Sequence, residues 1–172
     1  KMSFELKNIV PWGRSFTEYT EMFSLRKNDL TKSIIGFGDG PASFNSTMRK
    51  KGRKVISCDP IYNFSHEEIS RRIIETKNEV IEQTKNNITN FVWRKIKNIE
   101  ELENIRMKAM NDFLLDYEIG KSENRYLAYS LPNIPLKEKF DIGLSSHFLF
   151  LYSSLGYDFH LKSIYEMLRI CK

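Results

Sequence analysis

Apolar and polar positions change period several times along the chain, and each change marks an element. Phe16, Tyr19, Met22 and Phe23 recur at helical spacing behind Ser15 and Glu18, which form a capping box. This predicts a helix over residues 16–25 with those four on its apolar face, then a polar turn at 26–29. The period then shortens. Residues 33–37 (SIIGF) are a short apolar strand candidate running into glycines, and residues 41–51 read as a helix with Pro41 in its first turn. Residues 54–58 (KVISC) form a second strand, buried by its lack of alternation and ending on Asp59 and Pro60. Strand, glycine turn, helix and strand make a βαβ unit, and its right-handed crossover makes the two strands parallel neighbours.

From Ser65 to Gly120 the pattern is helical. Ser65 and Glu68 form a second capping box, followed by Ile69, Ile73, Val80, Ile81, Thr84 and Ile88 at mostly three- and four-residue steps. A break falls near Phe91–Trp93. Asn98 and Glu101 then cap a helix whose stripe Ile99, Leu102, Ile105, Ala109, Phe113 and Tyr117 ends at Gly120. Two helices stand where a crossover needs one, a surplus of roughly 30 residues that suits a lid or docking insertion. Residues 125–129 predict a third strand, 130–136 a loop pinned by two prolines, and 140–145 a fourth strand. Residues 158–170 predict a last helix that buries Phe159, Ile164, Met167 and Leu168. The expected fold is α/β: a single domain over residues 1–172, with a Rossmann-like parallel sheet ordered 3-2-1-4 and a helical crossover and insertion at 66–120. The fourth strand is apolar apart from Asp141 and Ser145 and carries no edge-guarding lysine or proline. A further C-terminal segment or another chain is therefore expected beside it.

Composition narrows the class. No apolar run approaches a membrane span and the amino terminus has no secretory pattern, so a cytoplasmic domain is expected. Cys58 and Cys171 are the only cysteines and form no C-x-x-C pair, which supports neither a disulfide framework nor a metal site. The net charge of +5, from 27 basic and 22 acidic residues, is too modest to imply a nucleic-acid partner. The dense basic run at 49–54 reads as cations closing a helix C-terminus before Gly52.

Candidate chemistry begins at Gly36–Ala42 (GFGDGPA), between the first strand and the first crossover helix. Glycines there permit a tight turn and the close approach of a ligand to the backbone. Asp39 argues against a phosphate in that turn, because its carboxylate would repel one. Asp59 ends the second strand, where dinucleotide and nucleoside folds place an acid that accepts from two ribose hydroxyls; a turn-capping aspartate before Pro60 is the structural alternative. The two features together imply a nucleoside-bearing ligand at the carboxyl ends of the strands.

The glycine turn, Asp59, Ile134–Leu136 with Phe140 and Asp141, and Glu166–Ile170 resemble the ordered motifs of class I S-adenosylmethionine-dependent methyltransferases over residues 33–170. More narrowly, residues 10–14 (VPWGR), 40–45 (GPASFN), 57–62 (SCDPIY) and 146–152 (SHFLFLY) resemble an uncharacterised bacterial group of such proteins. The resemblance implies S-adenosylmethionine as cofactor and methyl transfer as the reaction, with a small molecule as acceptor. It implies that Gly36, Phe37 and Gly38 pass under the methionine part, that Asp59 holds the ribose, and that Pro60 and Ile61 flank adenine. Ser130 and Leu131 contact the base or its amine, and Ser146 and His147 sit near the sulfonium and the acceptor. Arg14 and Tyr19 close the pocket from the lead-in helix, Arg14 toward the methionine carboxylate. The family's usual acids fall on Gly36 and Ser130 here, which leaves Asp39 as a substitute for the first. His147 is placed to act as a base, yet alignment alone suffices for many methyl transfers, so no catalytic residue is assigned. The missing acids favour one rival, a non-catalytic binding module of the same fold. A nicotinamide-dependent oxidoreductase is the other, disfavoured by Pro41–Ala42 where a third glycine would stand.

Overall fold

A computed structural model of the chain describes residue 7 and residues 10–86, 98–146 and 153–172. Within them the elements run α1 (Phe16–Met22), β1 (Ile34–Phe37), α2 (Phe44–Lys50), β2 (Val55–Cys58), α3 (His66–Asn86), α4 (Ile99–Ser122), β3 (Tyr126–Leu127), β4 (Ile142–Leu144) and α5 (Tyr157–Ile170). The sheet order is β3-β2-β1-β4, and every pairing is parallel, with Ile34 opposite Val55, Phe37 opposite Cys58, and Ile35 opposite Gly143. This is the Rossmann-like α/β arrangement that the pattern predicts. Among the described residues no helix is long and apolar enough to cross a membrane.

Both central strands are buried along their whole length, which explains the missing alternation. One face of the sheet carries Ile35, Phe37, Ile56 and Cys58, packed with Leu131, Ile134, Phe140 and Ile170. On the other, Ile34 and Val55 meet Tyr19, Phe44 and Met48 of α1 and α2. A third cluster joins the carboxyl end of β2 to the insertion: Ile61 and Tyr62 pack with Ile69 and Ile73 of α3 and with Met110, Phe113 and Tyr117 of α4. The Tyr117 hydroxyl fixes that junction by donating to the carbonyls of Tyr62 and Phe64.

Several boundaries differ from the sequence reading. Helix α2 begins at Phe44 rather than Pro41, because Gly38 and Gly40 take positive φ and carry the chain through a turn first. Helix α4 runs past Gly120 to Ser122. Gly120 is there for packing: a Cβ on it would stand 2.2 Å from the Tyr126 ring. The left-handed residue after this helix is Asn124 instead. Strands β3 and β4 are shorter than expected. Met22 and Leu168, expected inside, are 41% and 66% exposed. In α5, Ser163 and Ile170 hold the most buried positions, while Phe159 and Met167 of the assigned stripe pack partly buried against the core and Leu168 turns outward. The outer side of β4 is met at its start by this chain's own end, since Phe140 donates to the Ile170 carbonyl and Lys172 to that of Phe140. The expected break at 91–93 lies outside the described residues.

Candidate functional site

The carboxyl ends of β1 and β2 open on a small cleft lined by Phe37, Gly38, Cys58, Pro60, Tyr129, Ser130, Leu131 and Ile134. Five of these are residues singled out in the sequence: Phe37, Gly38, Pro60, Ser130 and Leu131. They come from the β1 turn, the β2 turn and the proline-pinned loop, which the fold brings together. Phe37, Cys58, Leu131 and Ile134 are buried in the apolar floor of the cleft, while Ser130 is exposed at its rim. Cys58, Tyr129 and Ile134 were missed as site residues. The register that sets Phe37 opposite Cys58 made Cys58 the one most open to inference.

Asp59 stands beside the cleft. Its Oδ2 accepts from the Gly40 amide and its Oδ1 from the Ile61 amide, both at 2.8 Å, so it ties the glycine turn to the turn after β2. The capping role and the acid's position at the strand end are both real. Each oxygen keeps a second acceptor direction, which leaves room for hydroxyl donors. Burial pushes this carboxyl up to about 6, against the pull of those two amides.

Gly36 is buried under the carboxylate of Asp39: a Cβ at position 36 would lie 1.9 Å from Asp39 Oδ2. The acid from the turn thus occupies the volume that a side chain on Gly36 would fill. Asp39 accepts from the Tyr19 hydroxyl at 2.8 Å and the Ser57 hydroxyl at 2.6 Å. It is 6% exposed. Burial first, opposed by those two hydrogen bonds and reinforced by the Asp59 charge, brings it to about 6. The polar chain continues inward. Asn45 Nδ2 donates to Ser57 Oγ at 3.0 Å, and Asn45 Oδ1 accepts from Arg125 at 2.6 Å. Arg125 grips Asp116 of α4 through two bonds of 2.7 and 2.8 Å. Side chains from three helices, from β2, and from the segments after β1 and before β3 therefore form one buried network ending at the glycine turn.

Tyr19 reaches the same place from α1. Burial and the Asp39 charge raise its hydroxyl well above the usual value, while hydrogen bonding to Ser146 pulls the other way. Ser146, past β4, is thereby joined to the glycine turn. His147 lies outside the described residues. Arg14 belongs to the segment over this turn, and its carbonyl accepts from the Ser43 amide at 3.0 Å. Among the described residues no group of His, Cys, Asp and Glu is arranged to hold a metal ion.

These features define a Rossmann-like α/β domain with a small apolar cleft at its strand ends, bordered by buried acids. The chain is 34% identical over 167 residues to Uncharacterized protein MJ0045 of Methanocaldococcus jannaschii, an alignment covering 96% of this chain and 75% of that protein. It belongs to that protein's family. No protein-family model matches the chain, and no solved structure does.

Proposed function

We propose that the chain binds S-adenosylmethionine at the carboxyl ends of β1 and β2 and transfers its methyl group to a small-molecule acceptor. The observation that carries this reading is the convergence of Phe37, Gly38, Pro60, Ser130 and Leu131 on one small apolar cleft beside Asp59. In it the cleft takes the adenine between Pro60 and Leu131. Asp59 accepts from the ribose hydroxyls with its two remaining acceptor directions. Gly36, Gly38 and the carboxylate of Asp39 border the amino-acid part, so Asp39 supplies the negative charge that the resemblance expects at position 36. The cofactor supplies an electrophilic methyl group. The protein contributes alignment, with Tyr19 and Ser146 on the acceptor side. The insertion reaches the strand ends through Tyr62 and Tyr117 and serves as a wall or lid over the acceptor. Both cysteines are free, which suits a reducing, cytoplasmic setting.

Calorimetry with S-adenosylhomocysteine and NAD tests this. S-adenosylhomocysteine is expected to bind, and Asp59→Ala to weaken it by about 2–3 kcal/mol, since a charged acceptor loses two hydroxyl partners. Unchanged affinity in that variant removes Asp59 from the site, and binding of NAD alone favours an oxidoreductase. One observation keeps a binding module in view: both oxygens of Asp59 and both of Asp39 already accept hydrogen bonds within the protein. Tight S-adenosylhomocysteine binding with no methyl transfer to any of a panel of acceptors would select that reading.

A further inference from the structure

Gly40 takes a φ of +54° in the glycine turn, and with no side chain of its own it must be held there by its neighbours. Both peptide groups that flank its Cα are held. On one side its amide donates to Asp59 Oδ2 at 2.8 Å. On the other its carbonyl accepts from the Tyr62 hydroxyl, also at 2.8 Å. Pro41 follows, so that second peptide has no N–H, and the carbonyl is the only group through which a hydrogen bond can hold it.

Tyr62 is in turn held by the insertion. It is 2% exposed, and its ring packs against Phe113 and Tyr117 of α4 at centroid distances of 6.0 and 6.1 Å, and against Tyr126 of β3 at 5.2 Å. The Tyr117 hydroxyl donates to the Tyr62 carbonyl at 3.1 Å and to the Phe64 carbonyl at 2.8 Å, so α4 grips the backbone as well as the ring. Burial, and then the charges of Asp39 and Asp59, raise the Tyr62 hydroxyl well above its usual value, so it stays protonated and keeps donating. The ring packing alone asks only for phenylalanine; the hydroxyl adds the bond to Gly40. Ile61, the residue before Tyr62, gives its amide to the other oxygen of Asp59. A continuous series of contacts thus runs from α4 through Tyr117, Tyr62 and Gly40 to the Asp59 carboxylate.

We propose that Tyr62 is a positioning residue through which the docking of α4 sets the glycine turn and the orientation of Asp59. A ligand that orders the turn then favours the docked insertion, and by linkage a docked insertion favours the ligand to the same degree. The coupling itself follows from contacts within the chain. That the ligand it serves is S-adenosylmethionine rests on the methyl-transfer reading.

Amide exchange of the full chain, followed residue by residue by NMR, tests the coupling. Tyr62→Phe keeps the ring in place and removes only the hydroxyl, and it is expected to speed exchange at Gly40 about tenfold. Tyr117→Phe touches neither Gly40 nor Asp59. It is nevertheless expected to speed Gly40 exchange about fivefold in the otherwise native chain and to add nothing in the Tyr62→Phe background. A general loss of stability would give the same factor in both backgrounds. That result, or an unmoved Gly40 in either single variant, overturns the proposal. The carboxyl carbon signal of Asp59 is a second readout, which global stability does not move. It should shift in both single variants, and a signal that stays in place in Tyr62→Phe overturns the proposal as well. Calorimetry with S-adenosylhomocysteine carries the test to the ligand. An affinity about tenfold weaker in Tyr62→Phe places the coupling at the cofactor site, and an unchanged affinity removes it from there. If S-adenosylhomocysteine does not bind the native protein, the methyl-transfer reading fails, and exchange at Gly40 still decides the coupling.

Discussion

Alternate residues of β1 and β2 look onto two different interiors. Ile35, Phe37, Ile56 and Cys58 face a wholly apolar cluster closed by the 131–140 loop and α5. Gly36 and Ser57, one step along the same strands, face Asp39, Asn45 and, through Asn45, Arg125 and Asp116. The first interior is held by area removed from water and is indifferent to pH. The second is held by hydrogen bonds that must all be made, because each buried polar group left alone costs more than its bond contributes. The polar interior ends at the glycine turn, so the groups that restrain the candidate site are the ones whose stability depends on completeness. A protein selected only for stability has little reason to bury two acids at the ends of two adjacent strands. The contrast is therefore an argument that the polar side serves binding.

The sharpest way to break the comparison is Arg125→Met. Arg125 is 2% exposed and satisfies Asp116 and Asn45 together. Removing it strands a buried carboxylate, with an expected loss of about 3–5 kcal/mol in denaturant unfolding. Adding Asp116→Leu should recover much of that loss, because removing both partners of a buried pair is far less costly than removing one. If the double variant is no better than the single one, the network is not the unit described.

On the apolar side the counterpart is Ile35→Ala. Ile35 is fully buried, and its truncation should cost about 3 kcal/mol through lost burial and the cavity left behind. The loss should be the same at pH 5 and pH 7.5, and its second-site partners should be neighbours such as Phe37 rather than charges.

The polar side should respond to pH. Asp39 has a folded value of about 6 against an ordinary 3.8, so the folded state holds a proton that the unfolded state has released. The contribution of Asp39 to stability is therefore greatest below about pH 4, falls as pH rises to about 6, and is flat beyond, a change of about 2–3 kcal/mol. Asp59, part-buried at the end of β2, adds to this with the same sign. Urea unfolding of native protein and Asp39→Asn across that range checks the sign. The variant should lose most of the fall, and a native protein that gains stability between pH 4 and 6 would refute the assignment.

What the sequence disclosed follows from the same contrast. Apolar burial writes itself as uninterrupted runs, so β1, β2 and their parallel order were legible, as were Ser15, Ser65 and Asn98 as helix starts. The glycine turn and Asp59 were legible because turn chemistry is local. That Asp39 substitutes for an acid at Gly36 was expected from the resemblance, but the contact between them was not legible, since it depends on the path of the turn bringing a carboxylate back over a strand. Asn45, Ser57 and Arg125 look like ordinary polar residues until the sheet register and α4 bring them together. Arg106 gave no signal at all: on a helical pattern it reads as a solvated face, yet it lies buried against Glu18 of α1 and the Trp12 ring. The exposure of Leu168 has the same origin, because where α5 turns its face depends on the loop beneath it.

The smallest predicted effect sharpens the comparison most. Ser57→Ala removes a hydroxyl that donates to Asp39 at 2.6 Å and accepts from Asn45 at 3.0 Å. Asp39 keeps Tyr19, and Asn45 keeps the carbonyls of Val55 and Arg125, so the expected loss is only about 1–2 kcal/mol at neutral pH. The loss should nevertheless depend on pH. Among the groups that hold Asp39 ionised, the Ser57 hydrogen bond is the strongest, so without it the carboxyl takes up a proton more readily. The falling limb of the stability curve should then extend to higher pH, and the variant should approach the native protein in acid and fall away from it above pH 6. Cys58→Ala, the adjacent residue on the opposite face, should cost a similar amount at every pH. Parallel curves for the two variants would mean that Ser57 matters only as packing, and the distinction between the two interiors would lose its electrostatic half.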